Sequence, residues 1–427
     1  MNSNEIYVSL DIGTSNIKVI IGEMTNESFN VIGVGHAKSA GIKKGSIIDI
    51  DETVRSIKKA VEQAERMLGI PINGVIVGVK GNHVKLEPCH GVVAVSSEDR
   101  EIGDEDIARV IEAAQVVSIP PEREIIDVIP RQFIVDGTDE IIDPRGMLGV
   151  RLEMEGTIIT GSKTILHNLL RCVEKAGLEI IDICLEPLAT GSIALSKDET
   201  ELGVALIEIG GGSTTVSVFD QGSMQFTSVL PIGGEYITKD ISIGLRTTAE
   251  DADKIKLKHG HAFVDLASPD ETFKVPQIGS SAEQEISQRD LAHIIEARLA
   301  EMFEMIDDEL ARHGYNELPG GFVITGGVAS MPGLLELAQE IFQQNVRVSL
   351  PDYIGVREPQ YTTGVGLIQF TYRNIKVQGK EVAAALSEEG YEVQQKRKQE
   401  PKVSKQIEKE SGGVKSKVKN WFGLFFD

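Results

Sequence analysis

Two stretches far apart in the chain carry the same pattern, and that repetition constrains the fold more than any other feature. Residues 7–22 (YVSLDIGTSNIKVIIG) and 204–222 (VALIEIGGGSTTVSVFDQG) each read as an apolar strand ending at an acidic residue, a glycine-rich turn with hydroxyl side chains, and a second strand. Asp11 matches Glu208, and Gly13 matches Gly210. A hairpin duplicated in the two halves implies a pseudo-symmetric molecule with a cleft between the turns. Up to about residue 370 the chain alternates strand and helix patterns, as a layered α/β protein does. Its 427 residues exceed one core and predict two to four domains, at about 100–200 residues each.

Each turn can gather backbone N–H groups on an anion, because glycine permits close approach and positive φ. Thr14, Ser15, Ser213, Thr214 and Thr215 add hydroxyls. Asp11 and Glu208 would face each other across the cleft, where carboxylates suit Mg²⁺ held mainly through water and phosphate oxygens. Lys18 returns on the second strand as a phosphate counter-charge. A plain hairpin with a polar turn accounts for either stretch alone better than for the pair.

Other segments suit a nucleotide. Thr247 and Glu250 form a capping box that starts a helix, on which Asp253 and Lys256 share a face. That pair serves either ribose hydroxyls or a solvated ion pair. FVITGGVASMPGL (322–334) reads as a buried strand, a Gly-Gly turn and a Pro-led helix. Gly326 and Gly327 could there lie flat against an adenine, or simply connect strand to helix. GTIITGSKT (156–164) misses the P-loop pattern, since Ser162 takes the lysine position and Lys163 the hydroxyl position. HExxH, CxxC and GxSxG are lacking, so zinc-hydrolase and α/β-hydrolase chemistry has no foothold.

Composition narrows the classes. With 41% hydrophobic, 25% charged and 5% aromatic residues, the chain is neither collagenous nor wholly disordered nor a multi-span membrane protein. A net charge of -22 argues against nucleic acid as a partner. Three scattered cysteines fit a reducing cytoplasm. The first residues lack a basic and apolar leader, and no run of 18 apolar residues occurs, so the expectation is a protein neither exported nor membrane-spanning.

The end of the chain departs from this plan. Residues 376–413 are charged, Gln-rich and poor in large aliphatics, which predicts a flexible linker. Residues 396–427 carry nine basic and four acidic residues, +5 within a chain of -22. Written as a helix, Val414, Val418, Trp421, Phe422, Phe425 and Phe426 form one apolar face, Leu424 adds to the apolar end, and Lys415, Lys417 and Lys419 lie off that face. Such a segment lies in the plane of an anionic bilayer. Docking on its own domain or on a partner protein is the alternative.

DIGTSNIK, LEPLATGSIAL (185–195), EIGGGSTT, the ADKIK helix, ITGGVASMPGL and YTTGVGLIQ (361–369) follow the order of the actin, heat-shock chaperone and sugar kinase superfamily. IVGVKGNHVKLEPCHGVVAV, IDVIPRQFIVDG and DPRGMLGVRLEMEGTIITG further resemble the inserted subdomain of the FtsA cell-division family. The resemblance covers essentially the whole chain. It implies an α/β, actin-like two-lobed fold of duplicated ribonuclease-H-like halves, with subdomain 1A at 1–80, 163–195 and 361–375, and 1C at 81–162. Subdomain 2A would take 196–234 and 319–360, and 2B 235–318, followed by the linker and an amphipathic membrane-targeting helix at 414–427.

The resemblance also implies roles. Gly13, Thr14, Ser15, Asn16, Lys18, Gly210, Gly211, Gly212, Ser213, Thr214 and Thr215 would hold ATP phosphates, with Gly233 and Gly234 near ribose and phosphates. Asp253 and Lys256 would take the ribose, Gly326 and Gly327 the adenosine, and Met331 would join the nucleotide contacts. Asp11 and Glu208 would organise Mg²⁺, and Glu186 would orient water. The superfamily usually has Asp where this chain has Glu208. A carboxylate displaced by about 1 Å can slow a reaction about 100-fold, so ATP binding with slow or negligible hydrolysis is expected. The implied function is a scaffold that polymerises with itself, binds anionic lipids, captures the C-terminal peptide of FtsZ and recruits later division proteins to the septal ring. Arg289, Arg298 and Glu301, on the helix read from SQRDLAHIIEARLAEMFEMI (287–306), would face that peptide. A small-molecule kinase of the same superfamily is the alternative, but no general base for a second substrate is evident. A relative serving pilus assembly or rod shape would lack the inserted subdomain's motifs.

Overall fold

The computed structural model describes residues 5–25, 28–279 and 283–378. All of them fall within one folded unit, Met1–Leu386. Both patterned stretches are antiparallel hairpins, Glu5–Ile12 with Asn16–Thr25 and Val204–Ile209 with Thr214–Asp220. Each hairpin lies in a five-stranded sheet. In the first, Ser28–Lys38 extends the hairpin on one side, while Gly74–Val79 and Glu179–Leu185 join in parallel on the other. In the second, Ser223–Leu230 takes the outer place, and Phe322–Thr325 and Val346–Val348 the parallel ones. The strand order is therefore identical in the two halves.

Parallel neighbours need crossover connections, usually helices. Ile50–Leu68 and Lys163–Lys175 serve the first sheet, and Gln288–Arg312 and Leu334–Phe342 the second. Ile50–Leu68 starts where the Asp49 side chain accepts from the Glu52 N–H, ends at left-handed Gly69, and buries Ile57, Ala60, Val61 and Ala64 at helical spacing. Gly74–Val79 and Phe322–Thr325 are buried at every position, because both faces of a parallel strand are covered.

Two insertions break this plan. Between Gly74–Val79 and the Lys163–Lys175 helix sits a four-stranded sheet of Lys85–Ala94, Arg151–Ser162, Arg123–Val135 and Thr138–Ile141, with the helix Asp104–Ala114. It has its own core around Ile107, Val110, Phe133 and Leu152. Between Ser223–Leu230 and Gln288–Arg312 lie the helices Gly234–Gly244 and Ala249–His259 and the hairpin Thr272–Pro276 with Glu283–Ser287. Their Ile237, Ile241 and Ile255 share a core with Phe303 and Phe322 of the second half.

Three local expectations are corrected. The cap of Ala249–His259 is Thr248, whose Oγ1 accepts from the Asp251 N–H at 3.1 Å, whereas Thr247 is fully buried and its hydroxyl has no partner. After Phe322–Thr325 a 3₁₀ turn, Gly327–Ser330, comes before the helix, which begins at Leu334 behind left-handed Gly333. The last helix among the described residues, Thr362–Gln378, runs into the stretch expected to be linker, where Gln378 is buried. Among the described residues no helix is long and apolar enough to cross a membrane. The rest of the expected linker, and every residue of the expected amphipathic segment, lie outside the described residues.

Candidate functional site

The two turns are built alike. The Gly13 N–H donates to the Asn16 carbonyl at 3.1 Å, and the Gly210 N–H to the Ser213 carbonyl at 3.0 Å. They also touch each other. A Cβ on Gly211 would overlap Ser15 Oγ, and one on Gly212 would stand 3.0 Å from Thr14 Oγ1, so only glycine allows this approach. Behind them, the N–H groups of Gly234 and Glu235 donate to the carbonyls of Gly210 and Gly211 at 2.9 and 2.8 Å, which fixes the start of the Gly234–Gly244 helix against the second turn. Ser15 Oγ donates to Glu235 Oε1 at 3.0 Å. Among the described residues, the N–H groups of Thr14, Ser15, Gly211 and Gly212 donate to no protein acceptor. Four unengaged donors on two touching turns are the equipment of an anion site.

Carboxylates and lysines gather beneath the turns. Asp11 pairs in register with Lys18, whose Nζ lies 2.8 Å from Oδ2. Burial would lower the Lys18 pKa, but Asp11 outweighs it and leaves the ammonium group firmly charged. Glu208 stands opposite Thr215, and the nearby Thr363 hydroxyl favours its charged form. Glu186 opens the helix Glu186–Ala194, is 2% exposed, and its Oε1 has no hydrogen-bond partner. Lys80 follows the end of Gly74–Val79. Burial disfavours its charge, but Glu186, Glu208 and Asp11 together hold its pKa up.

Protonation follows from this crowding. Burial pushes Glu186 up to about 8, Lys80 opposes that shift, and Asp11 and Glu208 reinforce it. Burial also raises Glu208, again against Lys80. Glu186 is thus a neutral acid at pH 7, able to donate as well as accept. Among the described residues no three His, Cys, Asp or Glu side chains converge to hold a metal directly. Asp11 and Glu208 instead suit a hydrated divalent ion bridged to phosphate. A cavity of about 80 Å³ opens beside Lys80 and Glu186, bounded by Gly45 and Ile47.

The nucleoside-side residues also meet. Lys256 Nζ donates to Asp253 Oδ1 at 2.8 Å, Thr238 Oγ1 at 2.6 Å and the Gly234 carbonyl at 3.2 Å. The pair is therefore anchored to the turn at Gly233 and Gly234. Gly326, at φ +92°, lies against the Ile209 carbonyl next to Gly210, with Gly327 and the partly buried Met331 following. Thr214 departs from its expected role, since its buried hydroxyl donates to the Ile232 carbonyl and is spent in the core. Arg289, Arg298 and Glu301 lie on the Gln288–Arg312 helix. Arg289 is exposed, and Arg298 is bound to Asp240 and Glu301.

Sequence reasoning missed Lys80, Thr363 and Glu235. Lys80 had a signal, a lysine closing the apolar run VIVGV at the mouth of a buried strand. Thr363 and Glu235 had none, because their partners are 155 and 220 positions away along the chain.

Duplicated five-stranded sheets with glycine turns meeting over buried carboxylates define an actin-like α/β protein. Solved structures of the same fold include the PilM-PilN type IV pilus biogenesis complex (TM-score 0.58, 15% identity, 85% of this chain and 98% of that one). MreB5 of Spiroplasma citri bound to ADP is another (TM-score 0.54, 14% identity, 88% and 98%). The family model for cell division protein FtsA matches residues 205–366, and that for the SHS2 domain inserted in FTSA matches 81–160. The cell division protein FtsA of Bacillus subtilis strain 168 is 63% identical over 91% of this chain and 88% of its own length. Those of Enterococcus faecalis and Escherichia coli K12 are 42% and 32% identical, covering 100% and 86% of this chain and 100% and 90% of their own lengths. The chain belongs to the FtsA family of cell division proteins.

Proposed function

We propose that the chain binds ATP with Mg²⁺ between the two turns and works chiefly as a scaffold at the division septum. It polymerises there on the cytoplasmic face of the membrane, tethers FtsZ filaments and recruits later division proteins. The observation that carries the nucleotide part is the set of four unengaged N–H donors over two buried carboxylates, Asp11 and Glu186, the half-buried Glu208 and two lysines. The donors cradle the phosphates, while Lys256 and Asp253 orient the ribose beside Gly234. Mg²⁺ supplies charge neutralisation on phosphate oxygens. Asp11 and Glu208 orient its water shell, and neutral Glu186, with an unpaired Oε1, holds a water by hydrogen bonds rather than deprotonating it. That last feature supports slow turnover.

Membrane attachment rests on the basic, aromatic residues 414–426. One short helix adheres weakly, so stable attachment needs many copies, which polymerisation supplies. Arg289 and Arg298 are the cations proposed to meet an acidic FtsZ peptide, with Arg298 exchanging Glu301 for a peptide carboxylate. Phosphate release and co-sedimentation on anionic liposomes test the whole reading. The expected result is lipid-bound protein with near-background phosphate release, faster release in Glu208→Asp, and loss of lipid binding in Trp421→Glu. Brisk turnover near 1 per second would contradict the scaffold reading, and lipid binding by Trp421→Glu the attachment reading.

A further inference from the structure

The helix described over Thr362–Gln378 spans roughly 25 Å at 1.5 Å per residue and is tied near Thr363 and again near Gln378. Its first turn contacts the elements that carry all three carboxylates. The Thr363 hydroxyl stands beside Glu208, whose charged form it favours, and meets Thr190 Oγ1 at 3.0 Å, on the helix that Glu186 begins. Ser9 Oγ, on the strand of Asp11, donates to the Gly364 carbonyl at 2.7 Å. A Cβ on Gly366 would come 2.6 Å from the Ala189 carbonyl carbon, so the two helices are in backbone contact.

The far end is held by the inserted sheet. Arg145, braced by Asp104 at 2.6 Å and Asp143 at 2.9 Å, donates to the carbonyls of Lys376 and Val377. Asp127 accepts from Asn374 at 3.1 Å and from Gln378 at 3.4 Å, and Val377 packs on the inserted core. Beyond Gln378 the chain continues into the basic, aromatic segment.

We propose that Thr363 is a positioning residue for Glu208 and that the Thr362–Gln378 helix couples occupancy of the acidic site to the Arg145–Asp127 clasp on the inserted sheet. This rests on the nucleotide reading above. The longer Glu208 side chain has beside it a hydroxyl of the very helix that reaches the clasp, so a load placed on Glu208 bears on that helix. Interfaces packed this tightly repack between discrete arrangements rather than deform smoothly. Linkage then requires the reverse effect, in which loosening the clasp weakens binding at the site.

Hydrogen exchange on the full chain, with Mg·ATP against Mg²⁺ alone, tests this beside a direct equilibrium titration of Mg·ATP. Mg·ATP is expected to slow exchange at residues 374–378 about 5-fold or more. Thr363→Val should abolish that response and Thr363→Ser should restore it, whereas a merely structural loss would not be rescued. Arg145→Ala should weaken Mg·ATP about 5-fold, with Arg145→Lys intermediate. Saturable binding with unchanged exchange at 374–378, or an affinity in Arg145→Ala equal to the parent's, overturns the coupling and leaves the nucleotide reading intact. Absence of saturable binding by the parent chain overturns the nucleotide reading and the coupling with it. The exchange arm uses the parent protein, so it decides the matter even where a variant fails to fold.

Discussion

The two turns share a backbone and differ in charge. At the first, Asp11 faces Lys18 in register and the pair closes on itself at 2.8 Å. At the second, Thr215 occupies the position of Lys18, so Glu208 has no in-register cation and shares Lys80 with Glu186 and Asp11. The halves share a scaffold and differ in how their acids are paired. The first turn is electrostatically settled, whereas Glu208 lacks an in-register cation, and Glu186, at the end of the first sheet's strand Glu179–Leu185, is left protonated. A cation arriving with a ligand would therefore act mainly on Glu208 and Glu186.

Lys18→Met should show the largest effect. It strands Asp11, whose side chain is 5% exposed, and breaking a buried pair by removing one partner costs about 3–5 kcal/mol in a denaturant titration. Next comes Glu186→Gln. The folded pKa of Glu186 lies near 8, above its unfolded value, so the folded state keeps a proton that the unfolded state has released. The parent thus loses stability from this group as pH rises from about 4.5 to about 8. Glu186→Gln should be the more stable protein at pH 8, by on the order of a few kcal/mol, with the gap closing toward pH 5. A gap independent of pH would place the buried proton elsewhere. Thr215→Val, the counterpart of Lys18→Met, should cost less than about 1 kcal/mol. Equal losses at the two positions would erase the asymmetry.

What was legible in the sequence was local. Strand, acid, glycine turn and returning strand lie within about 20 residues, and Asp253 with Lys256 lies within one helical turn, so spacing alone places them. The cap at Thr248 was misplaced by one residue because adjacent threonines each have an acid three positions on, Glu250 and Asp251. Burial of Thr247, a tertiary fact, decides between them. Lys80 reaches the carboxylates only because Gly74–Val79 pairs in parallel with the first strand, and no local pattern encodes that pairing. The clasp of Arg145 on Lys376 and Val377 is equally remote, joining the inserted sheet to the Thr362–Gln378 helix. Thr214 shows the converse, a hydroxyl in the right motif that the strand's alternation turns into the core.

The central claim, that the touching turns form a nucleotide site, is tested most directly by titrating Mg·ATP into the full chain and into Gly211→Val. The added side chain overlaps Ser15 and must force the turns apart. The parent should bind saturably and the variant about 100-fold or more weaker, a loss of about 2.8 kcal/mol. Equal affinities, or no saturable binding by the parent, would contradict the account.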